Sequence, residues 1–190
     1  MSAGLALKIG PTITNGVNVA AFVDAVEAIK ADPKMAAFRF SARNCWVGGD
    51  KNWTTIKEFS GAGETHRTDA EPFIAWNGAP APLLGDDKAP SPLEWLLHAM
   101  VGCMTTSLAY HAAARGIEIE SIDSGIEGDI DLRGFFGLSA RARKGYSSIR
   151  IKMLVKSAAA PATLKGLAKM SPLFDIVSNA LPVDVVVATY

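Results

Sequence analysis

Residues 92–115 specify a helix with almost no polar face, and this constrains everything else the chain must supply. Leu93, Leu96, Leu97, Met100, Val101, Met104, Leu108 and Ala112 together occupy more than one side of it. Its ends are marked locally. Ser91 is an N-cap residue, Pro92 suits the first helical position, and Glu94 completes a capping box. Gly116 stands where a left-handed residue ends a helix. A helix that is apolar nearly all round needs cover on nearly all sides. One sheet covers one side, so something else must cover the other, a partner subunit being one candidate.

The flanking segments supply that sheet. After a loose start, Asn18 caps a helix reaching about Ala31, with Val19, Phe22, Val23, Val26 and Ile29 at three- and four-residue steps. Asp32-Pro33 ends it, because a residue before proline leaves the α region. We expect residues 1–35 to be an N-terminal extension whose amphipathic helix lies over a main domain at 36–190. Residues 38–47 alternate as a strand, Gly48-Gly49-Asp50 turns, and 53–59 returns as a hairpin. A third strand spans 73–76, and the proline-rich stretch 79–91 is a loop. Residues 117–132 read as a strand bent at Gly125 or Gly128. A basic loop at 133–145 and a half-buried strand at 147–155 follow. Short helices at 162–170 and 172–179, the second capped by Ser171, lead to a closing strand at 183–188. Strands in runs with helices in separate blocks make this α+β with an antiparallel sheet.

Composition excludes several classes. Nineteen basic residues balance nineteen acidic ones, which is not the footprint of a nucleic-acid binder. Apolar residues at 49% and charged residues at 20% rule out a disordered chain. No apolar run is long enough to span a membrane, and the first residues lack a signal-peptide pattern, so the expected location is the cytoplasm. Phosphate-binding glycine loops, zinc spacings and G-x-S-x-G are absent. His98 and His111 stand about 20 Å apart along one helix and cannot share a metal. We therefore expect no metal and no cofactor. Cys103 is the residue with chemical promise. It is either a small buried hydrophobe or, given a nearby cation and some exposure, a reactive thiol.

The run Ala89-Pro90-Ser91-Pro92-Leu93-Glu94-Trp95-Leu96-Leu97, followed by Gly102-Cys103, resembles the helix motif of the OsmC/Ohr superfamily. That superfamily comprises osmotically inducible protein C and the organic hydroperoxide resistance proteins. The segments 115–120, 127–132, 171–174 and 181–183 are similar too, so the likeness spans about 36–190. It implies an OsmC-like fold, α+β with a long buried central helix, assembled as an intertwined homodimer. It also implies peroxide reduction by a helix thiolate, which a second cysteine resolves and an arginine and a glutamate support. Cys103 matches the peroxidatic thiol. Ser171 occupies the resolving-cysteine position, and Leu93 stands where the glutamate is expected. Glu94, one residue later, is nine residues from Cys103 and so on the opposite helix face, which reads first as a cap and second as a catalytic group. Lys51 is a possible supporting cation, a point charge rather than a fork. Arg43, Arg133, Arg141 and Arg143 are the other candidates. Cys45 resolves Cys103 only if their Cα atoms come within about 7 Å.

Two functions follow, nearly level. The first is thiol-dependent reduction of organic hydroperoxides through Cys103, with an external thiol reductant as resolver. The apolar residues Trp95, Met100, Met104, Phe135 and Phe136 favour a small apolar peroxide. The alternative is a non-peroxidatic protein that binds a small apolar ligand at its dimer interface. A dimeric stress protein without a ligand is a third, weaker reading. None of these involves nucleic acid or a membrane.

Overall fold

Turn chemistry opens the chain in the computed structural model, which describes residues 13–189. Strands β1 (Ile13–Thr14) and β2 (Val17–Asn18) are joined by Asn15 and Gly16 at φ 53° and 75°, left-handed conformations that this residue pair adopts readily. Helix α1 (Val19–Ala31) starts where Asn18 Oδ1 accepts from the Ala21 N–H. Six strands follow: β3 (Arg39–Phe40), β4 (Arg43–Gly48), β5 (Lys51–Ile56), β6 (Phe59–Gly61), β7 (Glu64–His66) and β8 (Phe73–Asn77). Then come α2 (Pro92–Ala113), β9 (Ser121–Ile130), α3 (Leu132–Phe135) and β10 (Tyr146–Lys156). The helices α4 (Pro161–Ala168) and α5 (Pro172–Ser178) complete the set. The pairs β3–β6, β6–β7, β4–β5, β5–β8 and β9–β10 are all antiparallel. The α+β reading with antiparallel sheets holds.

The chain forms two compact units. One is Asn18–His98 and the other is built from the residues on either side of it, with α2 passing from the first into the second after His98. In the second unit, Met100, Met104, Leu108 and Ala112 form one buried stripe along α2. The stripe packs with Leu164, Leu167 and Ala168 of α4, and with the half-buried Ile122 and Ile126 of β9 and Ile149, Ile151 and Met153 of β10. Four-residue spacing places one side chain per turn on that line. The other side of the helix stays open, with Ala99, Gly102, Thr106 and Tyr110 exposed. Among the described residues of this unit, nothing covers that side.

The Asn18–His98 unit holds two three-stranded sheets, β4–β5–β8 and β3–β6–β7. Its large side chains stack on each other rather than filling a closed core. Phe40 and Phe59 lie 5.3 Å apart, Phe59 and His66 4.6 Å, and the Arg67 guanidinium covers both Phe59 and Phe73.

Four sequence expectations change. The strand expected over 38–47 is two strands in two sheets, because β3 pairs with β6 while β4 pairs with β5. The expected return strand at 53–59 divides likewise, and Ala62 and Gly63, with positive φ, turn an additional hairpin between β6 and β7. The bend expected at Gly125 or Gly128 has no counterpart in the pairing, because the β9–β10 register runs evenly through both. Gly128 has a different reason: the Tyr146 ring lies over it, and a Cβ there would come within 2.6 Å of that ring. Residues 183–188 form no strand, since no described strand lies beside them to complete a ladder.

Asn15 has a second task. Its amide donates to the Ile117 carbonyl and accepts from the Ile119 N–H, both at 2.9 Å, which secures the chain leaving α2. Asn15→Gly preserves the turn and removes both bonds. We expect it to lower stability in urea unfolding by about 1–3 kcal/mol. An unchanged midpoint would show that the bonds contribute nothing.

Candidate functional site

Helix α2 positions Cys103 by simple rotation. At about 100° per residue, Cys103 lies on the half of the helix away from the Met100–Ala112 stripe, beside the exposed line of Ala99, Thr106 and Tyr110. It is a free thiol and half-buried. Glu94, in the first turn, is placed otherwise. Its Oε2 accepts from the Ser91 N–H and the Ser91 hydroxyl, both at 2.8 Å, while Ser91 Oγ accepts from the Glu94 N–H at 3.3 Å. This reciprocal arrangement is the capping box read from the sequence. The Ser91 N–H, then its hydroxyl, holds the Glu94 carboxyl below its ordinary range.

The candidate cations differ in their commitments. Lys51 Nζ sits 2.6 Å from Asp86, a partner the sequence reading did not assign, and that hydrogen bond raises the lysine pKa. Arg133 donates through Nε and Nη2 to Asp131, which it holds below the ordinary carboxyl range. Among the described residues, no carboxylate lies within salt-bridge distance of Arg43, Arg141 or Arg143. His111 is pushed down by burial and then by Arg115, whose Nη1 donates to the His111 carbonyl at 2.9 Å. Ser171, at the resolving-cysteine position, is 1% exposed and its hydroxyl accepts from the Phe174 N–H. It serves as the cap of α5.

One grouping escaped the sequence reading. Arg43 and Cys45 are two apart on β4, hence on one face, and their partners on β5 are Thr55 and Trp53. These four residues line a concavity of about 360 Å³, with Cys45 exposed as a free thiol. Strand alternation within Arg43-Asn44-Cys45 was the available signal, but the register across the turn was needed to bring Trp53 and Thr55 alongside. Among the described residues, no cluster of three His, Cys, Asp or Glu side chains forms a metal site. No described helix is long and apolar enough to cross a membrane.

Residues 85–186 match the family model described as OsmC-like protein. Among solved structures, the chain is similar to an OsmC-like protein from Mycoplasma pneumoniae, with a TM-score of 0.56 at 13% identity over 75% of this chain and 89% of that one. It is also similar to a candidate osmotic stress induced and detoxification response protein from Psychrobacter arcticus, with a TM-score of 0.50 at 15% identity over 70% and 83%. At such identities the likeness is one of fold. A search of curated proteins found no match.

The capping box makes a testable claim. Ser91→Ala should cost about 1 kcal/mol in urea unfolding, and Glu94→Gln, which still accepts a hydrogen bond, should cost less. Because folding depresses the Glu94 pKa, its contribution is present above the unfolded-state carboxyl pKa and lost as pH falls through the folded value. In Glu94→Gln that part of the acid destabilisation should disappear. Loss of an established activity at unchanged stability would instead assign the carboxylate to catalysis.

Proposed function

The chain belongs to the OsmC-like protein family, and we propose that it reduces organic hydroperoxides through the Cys103 thiol, as a homodimer with an external thiol as resolver. The observation that supports this most directly is Cys103 itself, a free, half-buried thiol on the side of α2 away from its buried stripe. In the proposed reaction the thiolate sulfur attacks the terminal peroxide oxygen. An S–O bond forms, the O–O bond breaks, and the alkoxide takes a proton to leave as the alcohol. One external thiol then displaces water from the sulfenic acid, giving a mixed disulfide. A second thiol releases Cys103 and leaves as the external disulfide. Ser171 lacks a sulfur and is buried as a helix cap, which favours a resolver from outside the chain.

A thiolate needs a supporting cation. Lys51 and Arg133 are already neutralised by Asp86 and Asp131, which leaves Arg43, Arg141 and Arg143 as the candidates. The dimer reading has its own support in the open side of α2 and the exposed faces of β4 and β8. The Trp53-lined concavity beside Arg43 and Cys45 favours a second reading, a homodimer that binds a small apolar ligand without turning it over.

Peroxide loss in the presence of a small dithiol separates these. With cumene hydroperoxide, wild-type turnover should vanish in Cys103→Ser and persist in Cys45→Ser. Alanine at one of Arg43, Arg141 or Arg143 should lower kcat/KM by about tenfold or more, roughly 1.4 kcal/mol, whereas Lys51→Ala and Arg133→Ala stay near wild type. No turnover in a folded protein would remove the peroxidase reading and leave the ligand-binding one.

A further inference from the structure

Charge is unevenly divided along this chain. Residues 132–174 hold nine Lys and Arg and no Asp or Glu, so all nineteen carboxylates lie elsewhere, with the remaining ten cations. The balanced total conceals this division, and such asymmetry points to an anionic partner. Several of the nine are already paired: Arg133 with Asp131, Arg150 with Glu127 and Asp129, and Lys156 with Glu120. Arg141, Arg143 and Lys144 are not. All three are exposed in the loop between α3 and β10, and among the described residues no carboxylate lies within salt-bridge distance of them. Asp129 and Asp131, which flank the loop at the end of β9, are each bound to an arginine, so the three cations stand unbalanced there.

The same loop carries large apolar side chains. Phe135, Phe136 and Leu138 are 67%, 58% and 74% exposed. Its backbone is held by bonds of its own. The Phe136 N–H donates to the Leu132 carbonyl at 2.9 Å and the Leu138 N–H to the Arg133 carbonyl at 2.8 Å. Between them Gly137, at φ 70°, takes the left-handed conformation that ends α3. Gly134 is buried against the returning arm, where a Cβ would lie 2.2 Å from the Arg143 carbonyl oxygen. Ser139 Oγ accepts from the Arg141 and Ala142 N–H groups, both at 3.3 Å. The close approach of residues 134 and 143 closes the two arms on each other, so one built loop presents the rings and the cations together.

We propose that this loop docks on the surface of a bilayer containing anionic lipid. Phe135, Phe136 and Leu138 enter the headgroup region, and Arg141, Arg143 and Lys144 meet the anionic headgroups. Interfacial docking combines these two terms, apolar burial and attraction to negative lipid, and needs no spanning helix. The sequence expectation of no membrane partner rested on the balanced total and the missing span, and neither bears on a loop that docks from one side. A nucleic acid would meet the same cations. Phe135 and Phe136, however, stand at 66° to each other rather than as a flat stacking platform, and Leu138 offers no ring. The docking is independent of the peroxide chemistry and of the homodimer proposed above.

The test uses the full chain and unilamellar vesicles. Wild-type protein should sediment with phosphatidylcholine vesicles that contain about one third phosphatidylserine, but not with phosphatidylcholine alone, and added salt should release it. Arg141→Gln, Arg143→Gln and Lys144→Gln together should lower the partition coefficient by about a hundredfold. Phe135→Ser with Leu138→Ser keeps every charge and should lower it by about tenfold or more. A second measurement needs no weakened variant. Leu138→Cys, introduced with Cys45→Ser and Cys103→Ser and carrying an environment-sensitive fluorophore, should shift to the blue on the mixed vesicles and be quenched by nitroxide-labelled lipid. Failure of the wild type to bind those vesicles would overturn the proposal. So would equal binding to phosphatidylcholine alone, or a label at 138 that stays in water on bound protein. Binding of a single-stranded oligonucleotide that survives Phe135→Ser with Leu138→Ser, without any binding to vesicles, would assign the loop to nucleic acid instead.

Discussion

Everything in the second unit depends on the contact between one line of α2 and the surfaces of β9, β10 and α4. Met100, Met104, Leu108 and Ala112 bury there because a helix repeats every three to four residues while the facing strands repeat every two. Ile122, Ile126, Ile149, Ile151 and Met153 supply the strand side, and their outward neighbours Asp123, Glu127, Arg150 and Lys152 face water. Arg150 makes salt bridges with both Glu127 and Asp129 across the β9–β10 pair. Such exposed pairs contribute little each, so the register rests mainly on the apolar face.

The Asn18–His98 unit solves its packing differently. Its two sheets are held by backbone ladders, by an Asn44–Asn52–Asn77 amide chain and by stacked aromatic rings, with few fully buried side chains. Three strands need an apolar face packed on something to be stable in water. Trp46, Ile74 and Trp76 instead remain more than half exposed. In the other unit, the open side of α2 and the exposed valines of 183–187 show the same shortage of apolar cover, which is the ground on which a homodimer is proposed above.

At the site, charge pairing narrows the chemistry more than proximity in sequence does. Lys51 looked available in the turn after β4, yet Asp86 takes its charge from a loop thirty-five residues away. Glu94 looked displaced by one position from a catalytic role, and its carboxylate is engaged by Ser91. A carboxylate held by two donors at a helix start is stabilised in its charged form and needs no further partner.

Caps, turns and helix lengths were legible because their bonds close within three or four residues. Asn18, the Ser91–Glu94 box and the Ser171 cap each answer to donors just downstream, so α1, α2 and α5 begin where the residues say they must. Alternation likewise marked β10, whose inward and outward residues differ sharply in polarity. Pairing was not legible. Nothing local tells residues 38–47 to divide between β6 and β5, because Arg39 and Phe40 pair past the adjacent hairpin with Ser60 and Phe59, while β4 pairs across its own turn with β5. Gly128 suggested a bend, but the Tyr146 ring across the ladder explains it. The stretch before Asn18 read only as a loose start, and the folded chain alone brought Ile117 and Ile119 to the Asn15 amide, a hundred residues on. Local sequence determines the bonds that a chain segment makes with itself. Which distant surfaces meet is settled only when the apolar faces that each element exposes are matched against one another in three dimensions.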